Sequence, residues 1–203
     1  MIIVGLTGSI AMGKSTVAAM FEAEGALWFD SDAAVHAFYR GPGAQTIETL
    51  FPGVLVEGAI DRNRLAQRVL GDSVALAQLE GVVHPAVAKA RQEFLFSAAL
   101  KGRRLVVIDI PLLFESGAEG SVDVILVVSA SETVQKARAL AREGMTLDRF
   151  DKIIARQIPD KEKRRRAHMT IDTNGVAEAT RAQVRGFIRC VASLAGKRVD
   201  LHA

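Results

Sequence analysis

The amino-acid sequence predicts an α/β fold in which a five-stranded parallel sheet carries helices on both faces. Five short segments rich in Val and Ile alternate with helical patterns rather than tight turns, which is typical of parallel strands joined by crossover helices. The first segment runs straight into a glycine-containing loop of the kind that binds phosphate. The predicted strands are residues 2–7, 26–29, 105–108, 122–128 and 169–171.

A phosphate-binding loop follows the first predicted strand. It consists of Gly8, Ser9, Ile10, Ala11, Met12, Gly13, Lys14 and Ser15, with Thr16 next. In this pattern, successive backbone N–H groups turn toward one anion, Lys14 reaches the β- and γ-phosphates, and the Ser15 hydroxyl coordinates Mg²⁺. A helical pattern over residues 15–24 would place the phosphates at a helix N-terminus. We therefore expect the chain to bind a nucleoside triphosphate.

Two carboxylates, Asp30 and Asp32, follow the second predicted strand at the sheet edge where the loop opens. Phosphoryl transfer to a hydroxyl needs a carboxylate that orients the alcohol and accepts its proton, and Asp32 is the candidate. Spacing alone supports helix capping equally well, because Asp and Ser are strong N-cap residues. Asp30 could instead be the active carboxylate, or could hold a metal-bound water.

Two stretches are longer than a simple crossover. The first, residues 36–100, contains helical patterns interrupted at His84 and Pro85, which we interpret as a helix start. The second, residues 131–166, is basic and helical. We interpret the first stretch as a substrate-holding insert and the second as a helical lid, both within a single domain over residues 1–203.

The third predicted strand ends in a carboxylate, Asp109. An apolar strand followed by Asp resembles a Walker B element, whose carboxylate holds Mg²⁺ or its water at the strand's carboxyl end. Strand-end Asp is common, so the pattern is weak alone and is strengthened by the preceding phosphate loop. Ser15 and Asp109 are the predicted metal site.

Arg138 and Arg142 lie four residues apart, on one face of the helix predicted after the fourth strand. Together with Gln135 they would clamp the γ-phosphate when a lid closes. Surface helices often carry such pairs as solvated charge, and spacing alone favours that interpretation over a phosphate clamp.

Composition and charge favour a cytoplasmic protein that binds a polyphosphate. The net charge is +3, but residues 131–166 hold eleven Lys/Arg against six Asp/Glu, an excess that suits a polyphosphate better than a membrane. No apolar run approaches the ~20 residues of a membrane span. The basic run 161–166 has no aromatic residues to stack on bases, which favours a solvated helix end over a nucleic-acid site.

The single Cys190 is spaced with Leu194 on one face of the last helix. We predict that it is part of the core, which is consistent with a reducing cytoplasm.

These motifs together resemble the dephospho-coenzyme A kinase family over nearly the whole chain. The most specific is Asp-x-Pro-Leu-Leu-Phe-Glu, matched by residues 109–115. The family's Gly-Leu-Thr-Gly-Gly-Ile-Gly-Ser-Gly-Lys-Ser-Thr opening is similar to residues 5–16, its Asp-Ala-Asp element to 30–32, and its His-Pro turn to 84–85. His36 stands where the family often has Arg or His. Its lid pattern and its final Asn are matched by Gln135, Arg138, Arg142, Arg156, Gln157 and Asn174.

The resemblance implies a P-loop kinase-like architecture and ATP-dependent phosphorylation of the ribose 3′-hydroxyl of dephospho-CoA, the last step of coenzyme A biosynthesis. It implies that Lys14 and Ser15 hold the phosphates and Mg²⁺, that Asp32 is the base, and that Arg138 and Arg142 stabilise the transferring group. Asn174 joins the loop in the implied ATP site. The implied acceptor pocket consists of Asp32, His36, His84, Leu112, Leu113, Phe114 and Glu115. The implied partners are ATP and dephospho-CoA, with no nucleic acid or membrane, in a monomer or weak homo-oligomer.

Two loop residues depart from the family, since Ser9 and Ala11 replace its usual glycines. A positive φ at either position would add strain of order 1 kcal/mol. We predict that both residues adopt negative φ.

Other functions remain open to different degrees. Another small-molecule or nucleotide kinase of the same fold is the alternative, because spacing alone does not distinguish acceptors. A regulatory GTPase is disfavoured, since neither Asn63 nor Asn174 begins an Asn-Lys-x-Asp motif. A nucleic-acid-dependent ATPase would have to use the basic segment and would show steep salt dependence.

Overall fold

The computed structural model describes residues 1–192, which contain seven strands and nine α-helices. In chain order the elements are β1 (Ile2–Thr7), α1 (Lys14–Ala23), β2 (Leu27–Asp30), α2 (Ser31–Arg40), α3 (Ala44–Leu50), β3 (Leu55–Val56), β4 (Ala59–Ile60), α4 (Arg62–Val69), α5 (Ser73–Leu100), β5 (Leu105–Asp109), β6 (Val124–Ser129), α6 (Glu132–Leu140), α7 (Leu147–Ile154), α8 (Asp160–Arg166), β7 (Met169–Asp172) and α9 (Ala177–Val191), with a short 3₁₀ turn at Ala118–Ser121. The chain divides into two units. Among the described residues, the first unit comprises residues 1–29 and 97–192, and the second comprises residues 30–96.

The first unit is built on the predicted five-stranded sheet. Its strand order is β2-β5-β1-β6-β7, and β1 pairs in parallel with both β5 and β6, while β6 pairs in parallel with β7. Each predicted strand is present within two residues of its expected bounds. The register sets Leu6 beside Asp109, so the end of β5 lies next to the start of the loop that follows β1.

Alternation along β1 separates the two faces of the sheet. Ile2, Val4 and Leu6 point into an apolar cluster that α1 and α9 cover, where the rings of Phe21 and Phe187 meet edge to face at 5.6 Å. Burying such aliphatic and aromatic side chains contributes roughly 1.5–3 kcal/mol each. The packing of α1 and α9 on this face therefore stabilises the part of the sheet from which the loop after β1 starts.

The other face of β1 is packed too closely to allow a side chain at Gly5. A Cβ placed there would lie 2.8 Å from Leu113 Cδ1 and 3.0 Å from Val122 Cγ2. Leu113 is fully buried against this strand. The glycine at position 5 is thus explained by packing.

The second unit contains helices α2 to α4, most of α5, and a short antiparallel hairpin, β3–β4, that sequence patterns did not predict. Its core includes Ile47, Val54 and Leu65. The Glu48 carboxylate accepts hydrogen bonds from the backbone N–H groups of residues 53, 54 and 55 at 2.7–3.0 Å. These bonds lower the pKa of Glu48 below its usual value.

The predicted helix start within residues 36–100 is wrong. His84 and Pro85 do not start a helix, because both lie inside the continuous helix α5. Proline lacks an N–H and crowds the carbonyl four residues earlier, and the residue at that position is Gly81.

Cys190 is exposed rather than part of the core. The buried stripe of α9 is Thr180, Val184, Phe187 and Val191. At 100° per residue, position 190 lies about a quarter turn from the centre of that stripe. Leu194, which was predicted to share this face, lies outside the described residues.

Over residues 1–192, no helix combines the length and apolar character that crossing a membrane would require.

Candidate active site

The loop between β1 and α1 ends at a helix N-terminus and is the candidate anion-binding hollow. No side chain caps α1 at Gly13 in the described structure, and the first N–H groups of any α-helix lack partners within the helix. These donors come from Lys14, Ser15 and Thr16, of which Ser15 and Thr16 are exposed. An anion is stabilised here by the N–H groups and by the positive end of the helix dipole.

Both glycines of the loop pattern are required by the backbone. A Cβ at Gly8 would lie 2.5 Å from the carbonyl oxygen of Val128. Gly13 has φ +91°, in the left-handed region, and a Cβ there would lie 3.3 Å from Thr173 Oγ1. Substituting either glycine would force the loop away from β6 or from the segment after β7.

The prediction of negative φ is confirmed at Ser9 and wrong at Ala11, which has φ 61°. A left-handed conformation costs a non-glycine residue roughly 1–2 kcal/mol. It is held because the loop reverses at this point, where Met12 N–H donates to Ser9 O at 3.2 Å. The Ala11 methyl is also buried against Ala139 and Phe150.

Lys14 and Asp109 meet beside the hollow. The Lys14 ammonium donates to both carboxylate oxygens of Asp109, with 2.6 Å to Oδ2. Asp109 is only 5% exposed, so the Lys14 ammonium offsets part of the cost of burying its charge. The structure therefore brings together the predicted phosphate-binding lysine, the predicted Mg²⁺ carboxylate at the end of β5 and, one residue from Lys14, the predicted Ser15 hydroxyl.

Arg138 and Arg142 line a cavity of about 280 Å³ beside the loop, together with Gly13, Thr16 and Gly175. Arg138 is engaged with Thr173, donating from Nη1 to Oγ1 at 3.0 Å and from Nη2 to the carbonyl oxygen at 2.7 Å. Thr173 in turn donates to Met12 O at 2.8 Å. Arg138 thus reaches the loop through Thr173, a residue that sequence reasoning missed.

Asn174, predicted to bind ATP, has a structural contact here. Its Oδ1 accepts a hydrogen bond from Ser131 N–H at 2.7 Å, and its Nδ2 donates to Asp172 Oδ1 at 2.9 Å. Among the described residues that line the cavity, Gly175 is present and Asn174 is not. Asn174 joins the turn after β7 to the start of α6.

Gln135 has a different contact from the predicted γ-phosphate clamp. The side chain is 5% exposed, and its Nε2 donates to Ile10 O at 2.9 Å. The amide is therefore used to hold the phosphate loop.

The second unit contains its own cavity of about 390 Å³, lined by Asp32, His36, Tyr39 and Arg62 among others. The N-cap of α2 is Asp30, whose carboxylate accepts from Ala33 N–H at 2.9 Å. Capping thus explains Asp30, and Asp32 in the first turn keeps an exposed side chain. Burial raises the pKa of Tyr39, and the positive charge of Arg62 partly offsets that shift.

The sequence of the chain matches a known protein family. The model of the family described as dephospho-CoA kinase matches residues 2–178. The chain belongs to the dephospho-CoA kinase family. A Rhodopseudomonas palustris (strain BisB18) protein named dephospho-CoA kinase is 46% identical over 97% of this chain and 98% of its own length.

Solved structures agree on the fold. The crystal structure of the Thermus thermophilus protein TT1252 has a TM-score of 0.82 and 36% identity, covering 96% of this chain and 98% of that one. The dephospho-CoA kinase from Campylobacter jejuni has a TM-score of 0.66 and 21% identity, covering 93% and 96% of the two chains. The P-loop kinase fold predicted from the sequence is confirmed.

Three residues of the dephospho-CoA kinase motif at residues 109–115 are buried in this chain: Asp109, Leu113 and Phe114. Leu113 is fully buried and Phe114 is 5% exposed, with the Arg166 guanidinium 4.6 Å above the Phe114 ring. Glu115 Oε1 accepts from Ile158 N–H at 2.9 Å. In this structure the side chains of Leu113 and Phe114 pack in the core and Glu115 makes a structural contact, and the acceptor role of these residues stays a prediction. Leu112 is 48% exposed.

Sequence reasoning missed Tyr39 and Arg62, and it predicted His84 in the acceptor pocket. His84 is exposed on α5 and is not among the described residues that line the cavity of the second unit. Tyr39 had a signal, because Asp32, His36 and Tyr39 are spaced four and three residues apart on one face of α2. Arg62 had none, since it arrives from α4 through tertiary packing.

Proposed function

We propose that the chain transfers the γ-phosphoryl group of ATP to the ribose 3′-hydroxyl of dephospho-CoA, giving CoA and ADP. The observation that carries the proposal is the pairing of Lys14 with Asp109 beside an uncapped helix N-terminus, in a chain of the dephospho-CoA kinase family. We further propose that the reaction takes place in the cytoplasm and that the protein works as a monomer or weak homo-oligomer.

On the nucleotide side, Lys14 and the first N–H groups of α1 bind the β- and γ-phosphates. Mg²⁺ prefers one or two carboxylates plus substrate phosphates and water, and the Asp109 carboxylate with the exposed Ser15 hydroxyl fits that set of donors. When bound, the ion supplies neutralisation of the charge on the phosphates. Lys14 would then exchange part of its contact with Asp109 for phosphate oxygens.

On the acceptor side, Asp32 is the proposed base. The 3′-oxygen forms a bond to the γ-phosphorus, the bond from that phosphorus to the β–γ bridging oxygen breaks, and the hydroxyl proton passes to the Asp32 carboxylate. Support comes from the exposed carboxylate of Asp32 at the cavity that His36, Tyr39 and Arg62 also line. Arg62 supplies a positive charge that suits a phosphorylated acceptor.

Arg138 and Arg142 are proposed to stabilise the transferring phosphoryl group, and residues 131–166 to act as the lid that brings them in. The lid proposal is supported by the packing of Met145, Phe150 and Ile154 against Ile10 and Ala11 of the loop. Excluding water there would limit hydrolysis of ATP. Residues 36–100 are proposed to form the acceptor insert of a single domain.

An acceptor panel tests the function. Purified protein with ATP and Mg²⁺ would be offered dephospho-CoA, 3′-deoxy-dephospho-CoA, nucleoside monophosphates, pantothenate, shikimate and gluconate, with products located by ³¹P NMR. We expect phosphorylation of dephospho-CoA alone, and none of the 3′-deoxy analogue. Transfer to another acceptor in preference to dephospho-CoA, or to the 3′-deoxy analogue, contradicts the proposal.

A further inference from the structure

The backbone of Ile10 in the phosphate loop is held on both sides by glutamine side chains. Its N–H donates to Gln157 Oε1 at 3.1 Å, and its carbonyl oxygen accepts from Gln135 Nε2 at 2.9 Å. The two glutamines come from different places, Gln135 from α6 and Gln157 from the turn after α7. Neither has a part in the proposed transfer.

Each glutamine is itself held in place. Gln135 lies in the first turn of α6, whose N-cap Ser131 accepts from Val134 N–H at 3.4 Å. Next to Gln157, Ile158 N–H donates to Glu115 Oε1, and Glu115 forms an ion pair at 2.9 Å with Lys163, whose side chain is fully buried. Burial alone would raise the pKa of Glu115, but the Lys163 ammonium and the Ile158 N–H hold it below its usual value. The backbone next to Gln157 is thus anchored by the Glu115–Lys163 ion pair.

The two hydrogen bonds act on consecutive peptide planes. The Ile10 N–H belongs to the peptide shared with Ser9, and the Ile10 carbonyl to the peptide shared with Ala11. In a planar trans peptide the C=O and N–H point in opposite directions. Because Gln135 fixes the Ile10 carbonyl, the Ala11 N–H in the same peptide points away from α6. Because Gln157 fixes the Ile10 N–H, the Ser9 carbonyl in that peptide points the opposite way, and it accepts a hydrogen bond from the Met12 N–H at 3.2 Å.

We propose that Gln135 and Gln157 are positioning residues that fix the two peptide planes around Ile10 and so orient the loop N–H groups for the nucleotide phosphates. The left-handed φ of Ala11, the next residue, is a conformation that persists only where the surroundings over-determine it. The glutamines supply that constraint. Variants that remove either hydrogen bond should therefore weaken binding of phosphates and leave binding of the nucleoside portion alone.

The two glutamines are used through different atoms, which gives a sharp test. Gln157 accepts, so Gln157→Glu keeps a suitable oxygen. Gln135 donates, so Gln135→Glu removes the donor and sets a carboxylate against the Ile10 carbonyl. Gln157→Leu and Gln135→Leu remove each bond without adding charge, and Gln92→Glu, at an exposed position on α5, is the matched control.

Calorimetry at pH 8 would measure the Kd of ADP and of adenosine, and steady-state kinetics the KM for ATP. We expect Gln135→Glu to raise the Kd of ADP and the KM for ATP at least tenfold. Both Leu variants should raise these two constants about three- to tenfold, which is the range for one neutral hydrogen bond. Gln157→Glu and Gln92→Glu should change them less than twofold. The Kd of adenosine should stay within twofold throughout. Retained ADP affinity in Gln135→Glu, or equal losses in Gln135→Glu and Gln157→Glu, overturns the proposal, as does a loss that affects adenosine equally.

The inference rests on the proposed function only in requiring that the loop binds a nucleotide phosphate. If the wild-type protein binds ADP but phosphorylates no dephospho-CoA, the proposed function fails while the ADP-to-adenosine comparison still decides the role of the glutamines. A lowered melting temperature with unchanged ADP affinity would show that the glutamines only stabilise the fold, which also overturns the proposal.

Discussion

The phosphate loop of the first unit and the cavity of the second unit are built in different ways. The loop presents backbone N–H groups, and its conformation is fixed by contacts to Ile10, Ala11 and Met12 from several directions. The cavity presents side chains from α2 and α4, including Asp32, whose side chain is exposed. Nucleotide binding should therefore respond to changes in loop geometry, and acceptor binding to single side chains.

The largest expected effect is at Lys14. Lys14→Ala removes the ammonium from the phosphates and from Asp109, which is 5% exposed. We expect kcat to fall by at least about 10³-fold, and the free energy of unfolding to fall by about 3–5 kcal/mol, as for other broken buried pairs. Kinetics with dephospho-CoA and urea unfolding measure the two effects, with Lys101→Ala at an exposed turn as control.

A double variant separates these two effects of Lys14. Asp109→Asn in the Lys14→Ala background removes the buried carboxylate charge that the Lys14 ammonium no longer offsets, so stability should recover while activity does not. Near-normal turnover in either variant would contradict the assignment of the loop. Unchanged stability in Lys14→Ala would show that the Lys14–Asp109 pair contributes little to folding.

Asp30 and Asp32 test whether acceptor chemistry depends on one carboxylate. Asp32→Asn should lower kcat by roughly 10²–10⁴-fold, the usual contribution of a general base, with little change in the KM for ATP or in the melting temperature. Asp30→Ala removes the cap of α2 and should lower stability by about 1 kcal/mol. Rates corrected for the folded fraction would show whether the roles are reversed, with Asp30→Ala losing kcat and Asp32→Asn keeping it.

Substitution of Arg62 should affect the binding of only one of the two substrates, with a smaller effect than the substitutions at Lys14 and Asp32. A hydrogen bond to a charged group contributes about 1.5–3 kcal/mol, so Arg62→Ala should raise the KM for dephospho-CoA at least tenfold and leave the KM for ATP unchanged. Arg64→Ala is the control, since Arg64 lies on the same helix and donates instead to the Gly53 carbonyl at 3.2 Å. A parallel rise in both KM values in Arg62→Ala would argue against a role specific to the acceptor.

The difference between the two regions also decides what the sequence could predict. Loop and strands were predictable because their signals are local: a glycine pattern at Gly8 and Gly13, and apolar segments ending at Thr7 and Asp109. Spacing left Asp30 and Asp32 undecided, since both positions suit a helix start, and only the hydrogen bond to Ala33 assigns the cap to Asp30.

Tertiary contacts account for the features that sequence patterns did not predict. Arg62 joins the cavity from a helix some 30 residues beyond Asp32, so no local pattern connects them. Leu113 and Phe114 lie in a motif that suggested an acceptor surface, yet Leu113 fills the space beside Gly5. Gln135 was predicted to join a γ-phosphate clamp, and its contact in the structure is with the Ile10 carbonyl, which no sequence pattern identifies.

The smallest expected effect is at Ala11, where two terms of similar size oppose each other. Ala11→Gly removes the strain of the left-handed φ, worth about 1 kcal/mol, but it also removes a methyl group buried against Ala139 and Phe150, worth about 0.8 kcal/mol. We expect the melting temperature to move by less than about 3 °C and the KM for ATP to stay within twofold. Ala11→Val keeps the positive φ and adds a branched side chain, so it should destabilise clearly and raise the KM for ATP. Equal stability of Ala11→Val and the wild-type protein, in the same thermal melts, would mean that the loop is free to rearrange at this residue, and the contrast between a fixed loop and an adjustable cavity would fail.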